Sequence, residues 1–107
     1  MSESWTQKAA ELICVGVRHT TLDDEALRLI DRGVSGVLVY ETKFAGPAEA
    51  FELIRSIKER AGRPIFVAID HEGGDRCRLQ RGFTRFPPLR ELGLTGDAEY
   101  AHEVGRV

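Results

Sequence analysis

The chain lacks a long hydrophobic run. No apolar stretch approaches the roughly 18 residues of a transmembrane helix, so no membrane partner is expected. It also lacks a charge excess of either sign, with 15 Lys+Arg against 17 Asp+Glu and a formal net charge of −2. That balance speaks against a nucleic-acid partner, because phosphate binding rests on a basic surface. The opening Met-Ser-Glu-Ser-Trp-Thr-Gln-Lys has no basic stretch feeding an apolar one. A secretory leader is therefore not expected, and a cytoplasmic location is. Cysteine is scarce, with only Cys14 and Cys77, and without export a disulfide is not expected. Cys14, within Leu12-Ile13-Cys14-Val15, reads as a buried, inert thiol. Cys77, between Arg76 and Arg78, reads as exposed; its cationic neighbours would favour a reactive thiolate, but an incidental thiol is the preferred reading. His19, His71 and His102 are scattered, without HExxH or CxxC spacing, so neither a metal nor a cofactor is expected.

What remains is the composition of an ordinary globular chain of 107 residues, 42% hydrophobic and 30% charged. That length allows one domain and no second. After a short amphipathic start (Trp5, Ala9, Leu12), Ile13 to Val17 reads as an apolar, β-branched strand. Thr21 with Asp24 three residues on has the pattern of a capping box, and Asp23, Asp24 and Glu25 suit a first helical turn. Leu22, Ala26, Leu29 and Ile30 share one face of that helix, and Gly33 ends it. Val34 to Tyr40 is a second strand, apolar at successive positions, which predicts burial on both faces in a parallel sheet. Gly46-Pro47 opens a second helix whose inner face is Ala50, Phe51, Ile54, Ile57 and Ala61, and Gly62 closes it. Ile65 to Ile69 is a third strand that runs into Asp70. From His71 to Leu94 the sequence is polar and aperiodic. A last helix starts near Gly96-Asp97 with Tyr100, Ala101 and Val104 inward and continues to Val107. Three βα units in series make this an α/β chain with a parallel sheet and right-handed crossovers.

The chemistry-bearing stretch is Asp70-His71-Glu72-Gly73-Gly74-Asp75, placed where a strand ends. The carboxyl ends of parallel strands are where α/β proteins bind ligands. Four readings of it stand side by side. Asp70 and Glu72 form a catalytic pair, about 7 Å apart on one face of an extended chain. Asp70, Glu72 and Asp75 hold a divalent cation. The loop positions a ligand without chemistry of its own. Or the segment is a strand-end turn with solvated acids. Arg76, Arg78, Arg81 and Arg85 follow; guanidinium forks suit carboxylates, phosphates and hydroxyl-rich ligands, although a solvated face accounts for three of the four. Phe83 and Phe86, flanking Thr84-Arg85, are expected to pin the loop to the body.

Ala68-Ile69-Asp70-His71-Glu72-Gly73-Gly74, followed after seven residues by Gly82-Phe83-Thr84-Arg85-Phe86-Pro87, resembles the N-terminal domain of family 3 glycoside hydrolases. The resemblance is to the bacterial β-N-acetylglucosaminidase (β-N-acetylhexosaminidase) branch of peptidoglycan recycling, with its D-x-E-G-G-R-V-Q-R-L-x-x-G-F-T-R-F-P pattern. Gly33 to Tyr40 resembles that branch's G-V-G-G-V-I-L-F strand. The resemblance implies a TIM-type (β/α)8 barrel, of which residues 1–107 hold about three βα units as a partial N-terminal domain. It implies sugar binding by Asp70 and Arg78, with Glu72, Gly73, Gly74, Gly82, Phe83, Thr84 and Arg85 as supporting motif, and neither metal nor cofactor. Asp75, Arg76 and Cys77 stand where the branch carries Arg, Val and Gln, and Glu41-Thr42-Lys43 also departs from it.

The family's nucleophilic aspartate and this branch's acid/base histidine lie further along, in segments without a counterpart here. The Asp70–Glu72 pair is then not the catalytic pair, and the chain alone is expected to be inactive. The implied activity is hydrolysis of terminal β-linked N-acetylglucosamine in a glycan or muropeptide. The expected partners are that glycan, and either the remainder of the barrel or a second copy of the chain. The alternatives are a small non-catalytic α/β sugar-binding module and an inert truncated gene product.

Overall fold

The computed structural model describes residues 4–40 and 43–107. Glu41 and Thr42, part of the departure after the second strand, lie outside the described residues. The Ser4 hydroxyl accepts the Gln7 backbone N–H at 3.2 Å and the Gln7 side chain accepts that of Ser4 at 3.0 Å. This reciprocal cap starts α1 (Trp5–Ala10). The amphipathic face expected of it is not the buried one: Ala10 is buried, whereas Trp5 and Leu12 are exposed.

Three parallel strands follow, β1 (Cys14–Val17), β2 (Gly36–Val39) and β3 (Phe66–Ile69), in the spatial order β1-β2-β3. Between them run α2 (Asp24–Asp31) and α3 (Pro47–Ala61). The cap of α2 sits two residues later than the Thr21 pattern predicts. Asp23 accepts the Ala26 N–H at 2.8 Å, so Asp24 and Glu25 fall in the first turn, where the helix dipole favours them. At the far end of α2, the Arg63 guanidinium donates to the carbonyls of Ile30 and Val34 at 3.2 and 2.7 Å, which ties that end to the start of β3. The bounds of α3 are those the sequence predicts, with Pro47 in the first turn and Gly62 left-handed at φ 59°.

Strand register sorts the apolar residues into two faces. Val15, Val37 and Val67 align in one row and Val17, Val39 and Ile69 in the next. Both α2 and α3 pack on this face, through Ala26 and Ile30 from one and Ala50, Leu53 and Ile57 from the other. Leu53, not Phe51, anchors α3: Leu53 is 2% exposed and Phe51 63%. The opposite rows are Cys14, Gly36, Phe66 and Gly16, Leu38, Ala68. No described helix covers them, and Phe66 is 78% exposed. The central strand β2 is buried or half-buried at every position, as expected of it; its neighbours β1 and β3 are covered on one face and open on the other.

That alternation puts Cys14 on the open face, where it is exposed rather than buried; Cys77, in the loop after β3, is buried rather than exposed. The segment expected to be aperiodic contains a turn of 3-10 helix at Gly74–Arg76 and a six-residue helix, α4 (Leu89–Leu94). The last helix, α5 (Ala98–Arg106), has no buried residue; of its expected inner face Tyr100 and Ala101 are exposed and Val104 is half-buried. The chain is consequently flat and long, 55 × 30 × 18 Å, with a radius of gyration of 16.7 Å. A compact domain of about 100 residues has about 13 Å. No helix among the described residues is long and apolar enough to cross a membrane.

Candidate functional site at the carboxyl end of the sheet

The third strand delivers Asp70 at its carboxyl end, and the chain then folds back on itself. His71 pairs with Cys77 in an antiparallel bridge around the 3-10 turn. The Glu72 N–H donates to the Arg76 carbonyl at 3.3 Å, and the Glu72 carbonyl accepts the Leu89 N–H at 3.3 Å. This small loop turns Cys77 inward, leaving Arg76 exposed and Arg78 half-buried, which is why the exposed thiol expected there is buried.

The two halves of the sequence motif meet in space. The Gly74 N–H donates to the Phe86 carbonyl at 2.9 Å. Gly73 has φ 83°, and a Cβ on it would stand 2.2 Å from the Pro87 carbonyl oxygen; one on Gly74 would stand 2.5 Å from the Pro88 ring. The double glycine is required because the Phe86-Pro87-Pro88 backbone lies directly against it. Phe86 meets the His71 ring edge-on at 5.3 Å, and Phe83 packs against the core beneath α3. Both aromatics therefore hold the loop. Glu72, Thr84 and Arg85 have exposed side chains, and Gly82 passes over Pro47 at the start of α3.

Asp70 and Arg78 come together. The Arg78 Nη2 lies 3.9 Å from Asp70 Oδ2, with the side chains 29% and 52% exposed. At that distance the pair is electrostatic rather than hydrogen-bonded. Among the described residues nothing donates a hydrogen bond to the Asp70 carboxylate, so its lone pairs are open to ligand hydroxyls. The guanidinium is more firmly held. Its Nη1 donates to the Tyr40 carbonyl at 2.9 Å, and Cζ lies 4.9 Å above the Tyr40 ring. Arg78 Nε and His71 Nδ1 are buried without a partner.

Asp70, Glu72, Asp75, Arg76 and Arg78 line one open cleft of about 380 Å³. A larger, apolar recess of about 630 Å³ runs along the free edge of β3, between Phe51, Ile54, Phe66 and Leu79. It carries no titratable group suited to chemistry beyond Lys58. The smaller cleft, with two charge signs and exposed carboxylates, is the better seat for a polar ligand. No group of three His, Cys, Asp or Glu among the described residues is arranged to hold a metal ion, which includes the three acids of this loop. Tyr40 is the site residue that the sequence reading missed. Its signal was available only as an aromatic at the end of a strand.

Comparison with known proteins fits this geometry. The family model described as Glycosyl hydrolase family 3 N terminal domain matches residues 4–107. A beta-hexosaminidase of Xylella fastidiosa (strain M23) is 36% identical over 96 residues, covering 87% of this chain and 29% of that protein. A beta-hexosaminidase of Thiobacillus denitrificans is 39% identical over 91 residues, covering 79% of this chain and 25% of that one. Among solved structures, a glycoside hydrolase family 3 beta-N-acetylglucosaminidase from Paenibacillus sp. str. FPU-7 superposes with a TM-score of 0.85 at 32% identity. That alignment takes in 95% of this chain and 20% of the other. NagZ from Neisseria gonorrhoeae, solved with N-trifluoroacetyl-D-glucosamine, gives a TM-score of 0.68 at 26% identity, over 85% of this chain and 27% of that one. The chain thus spans less than a third of the length of these relatives. The matched span takes in all three strands, the double-glycine loop and the Phe-Pro-Pro segment packed on it, and the chain belongs to glycosyl hydrolase family 3, within its N-terminal domain.

Proposed function

We propose that this chain forms the first part of the catalytic barrel of a β-N-acetylhexosaminidase and supplies a portion of its sugar site. In this reading residues 1–107 are one partial domain, Asp70 accepts hydrogen bonds from the sugar hydroxyls, and Arg78 donates to them. The observation that carries it is the meeting of Asp70 and Arg78 at the carboxyl end of the sheet, 3.9 Å apart, with no described residue donating a hydrogen bond to the Asp70 carboxylate.

The barrel reading is supported by the sheet itself. Sequential strand order with both crossover helices on one face is the arrangement of a curved barrel wall, and the open apolar face corresponds to its interior. The flat, elongated shape agrees with a segment of a larger body. The substrate class, a β-linked N-acetylglucosamine, follows the relatives named above; a muropeptide as its carrier rests on the resemblance. A cytoplasmic role in peptidoglycan recycling belongs to the same reading and rests on the resemblance alone. Retaining hydrolysis needs a nucleophile and a proton donor about 5 Å apart across the glycosidic bond. Asp70 is assigned to binding, so the chain by itself is expected to leave glycosides intact.

The test is calorimetric titration of N-acetylglucosamine onto the chain and onto Asp70→Ala and Arg78→Ala variants, with a para-nitrophenyl N-acetyl-β-glucosaminide assay beside it. The expected result is binding by the parent, none by either variant, and no hydrolysis. Binding that persists in both variants contradicts the site, and turnover that Asp70→Ala abolishes contradicts the binding-only role.

A further inference from the structure

From the geometry we infer that Tyr40 is a positioning residue for the sugar site: it fixes the Arg78 guanidinium toward Asp70, and Gly16 leaves the space its ring needs. This rests on the assignment of Asp70 and Arg78 to sugar binding.

Two separate parts of Tyr40 hold Arg78. The backbone carbonyl accepts from Nη1 at 2.9 Å, and the ring lies under the guanidinium, 4.9 Å from Cζ. Stacking leaves the edge of the planar fork free to donate, so it orients Arg78 without consuming its outward N–H groups. The carbonyl contact survives most substitutions at position 40; the ring contact does not. Arg78 Nε is buried and has no hydrogen-bond partner among the described residues, so it adds no bond that orients the fork. The Asp70 contact at 3.9 Å is too long to orient it.

The ring is seated from below. A Cβ built on Gly16 would lie 2.7 Å from Tyr40 Cε2 and 2.8 Å from Cδ2, closer than packed carbons approach. Gly16 does not have a positive φ, so its backbone would accept alanine. The constraint at that position is the ring alone. A line of contacts therefore runs from Gly16 in β1 through Tyr40 at the end of β2 to Arg78 after β3, and it spans all three strands on the open face.

The experiment is NMR of the arginine side chains in the full 107-residue chain, for the parent and for Tyr40→Phe, Tyr40→Leu and Gly16→Ala. N-acetylglucosamine affinity is measured on the same samples. In the parent, the Arg78 Hδ and Hε resonances should be displaced upfield by the ring. Tyr40→Phe should keep that displacement and an affinity within about twofold. Tyr40→Leu and Gly16→Ala should lose it and weaken sugar binding about three- to tenfold, the range a cation–π contact supports. Absence of the displacement in the parent overturns the inference without reference to any variant's folding, as does an unchanged Arg78 signal in a folded Tyr40→Leu. Loss of binding in Arg78→Ala but not in Tyr40→Leu also overturns it and leaves the sugar site standing. Ring-dependent Arg78 resonances in a chain that binds no sugar support the positioning and overturn the sugar site instead.

Discussion

The two faces of the sheet carry different residues and meet different fates. On one, Val37, Val39, Ile30, Leu53 and Ile57 are at most 4% exposed beneath two helices. On the other, Phe66 and Cys14 stand open, Gly16 makes room for the Tyr40 ring, and Gly36 sits between Cys14 and Phe66. The covered face is Val15, Val17, Val37, Val39, Val67 and Ile69, all β-branched, whereas the open one carries Cys14, Gly16, Gly36, Leu38, Phe66 and Ala68. The described helices cover the first set alone. The covered face holds the chain together; the open face carries Tyr40 and, at its carboxyl end, the charged cleft. Stability and candidate function therefore occupy opposite sides of one three-stranded sheet.

The sharpest way to break this comparison is to truncate one residue on each face. Ile57→Ala empties a fully buried site and should cost about 2–5 kcal/mol in urea unfolding. Phe66→Ser removes a mostly exposed ring and should change stability by at most about 0.5 kcal/mol. Equal costs would mean that the open face is covered in solution.

A smaller effect is expected where the two halves of the motif touch. Gly73→Ala places a methyl group against the Pro87 carbonyl in a backbone region that disfavours side chains. It should cost about 1–3 kcal/mol. It should also abolish sugar binding while far-UV circular dichroism still reports the helices of the covered face. Retained binding would separate the glycine turn from the site.

The smallest effect belongs to the covered side's surface. The Arg60 guanidinium, hydrogen-bonded to Asp31 at 2.7 Å, holds the Asp31 carboxyl below the ordinary aspartate range, and Asp31 in turn raises Arg60. A depressed carboxyl contributes stability that is present above its unfolded value and is lost as pH falls through the lower folded value. Asp31→Asn should therefore flatten the acid limb of the stability profile below about pH 4 and leave sugar affinity unchanged. An unaltered acid limb would show that this exposed pair contributes nothing.

Much of the fold was legible because local chemistry sets it. Pro47 and Gly62 bound α3 as the pattern implies, and the three strands lie within the predicted runs. Register is only partly legible. A run apolar at every position does not by itself say which face meets the helices, which is why Cys14 is exposed where burial is expected. Cys77 is buried for a different reason, the fold-back of its loop, and Leu53 rather than Phe51 is the α3 residue that meets the sheet. The six residues of α4 are too short to show a period after Pro87-Pro88. Asp70, Gly73 and Gly74 were readable as a strand-end motif. The reason for its spacing, a backbone-on-backbone contact with Pro87, exists only in three dimensions. Tyr40 was hidden for a similar cause, since its partner Arg78 is 38 residues away.

The central claim is that Asp70 and Arg78 form part of a sugar site at the carboxyl end of the sheet. The most direct measurement is an amide NMR titration of the chain with N-acetylglucosamine, resolved residue by residue. Shifts confined to the segment from Asp70 to Arg78 and to Tyr40, and lost in Asp70→Ala, are the predicted result. Saturable shifts that gather along the apolar recess beside β3, or that survive Asp70→Ala, would contradict it.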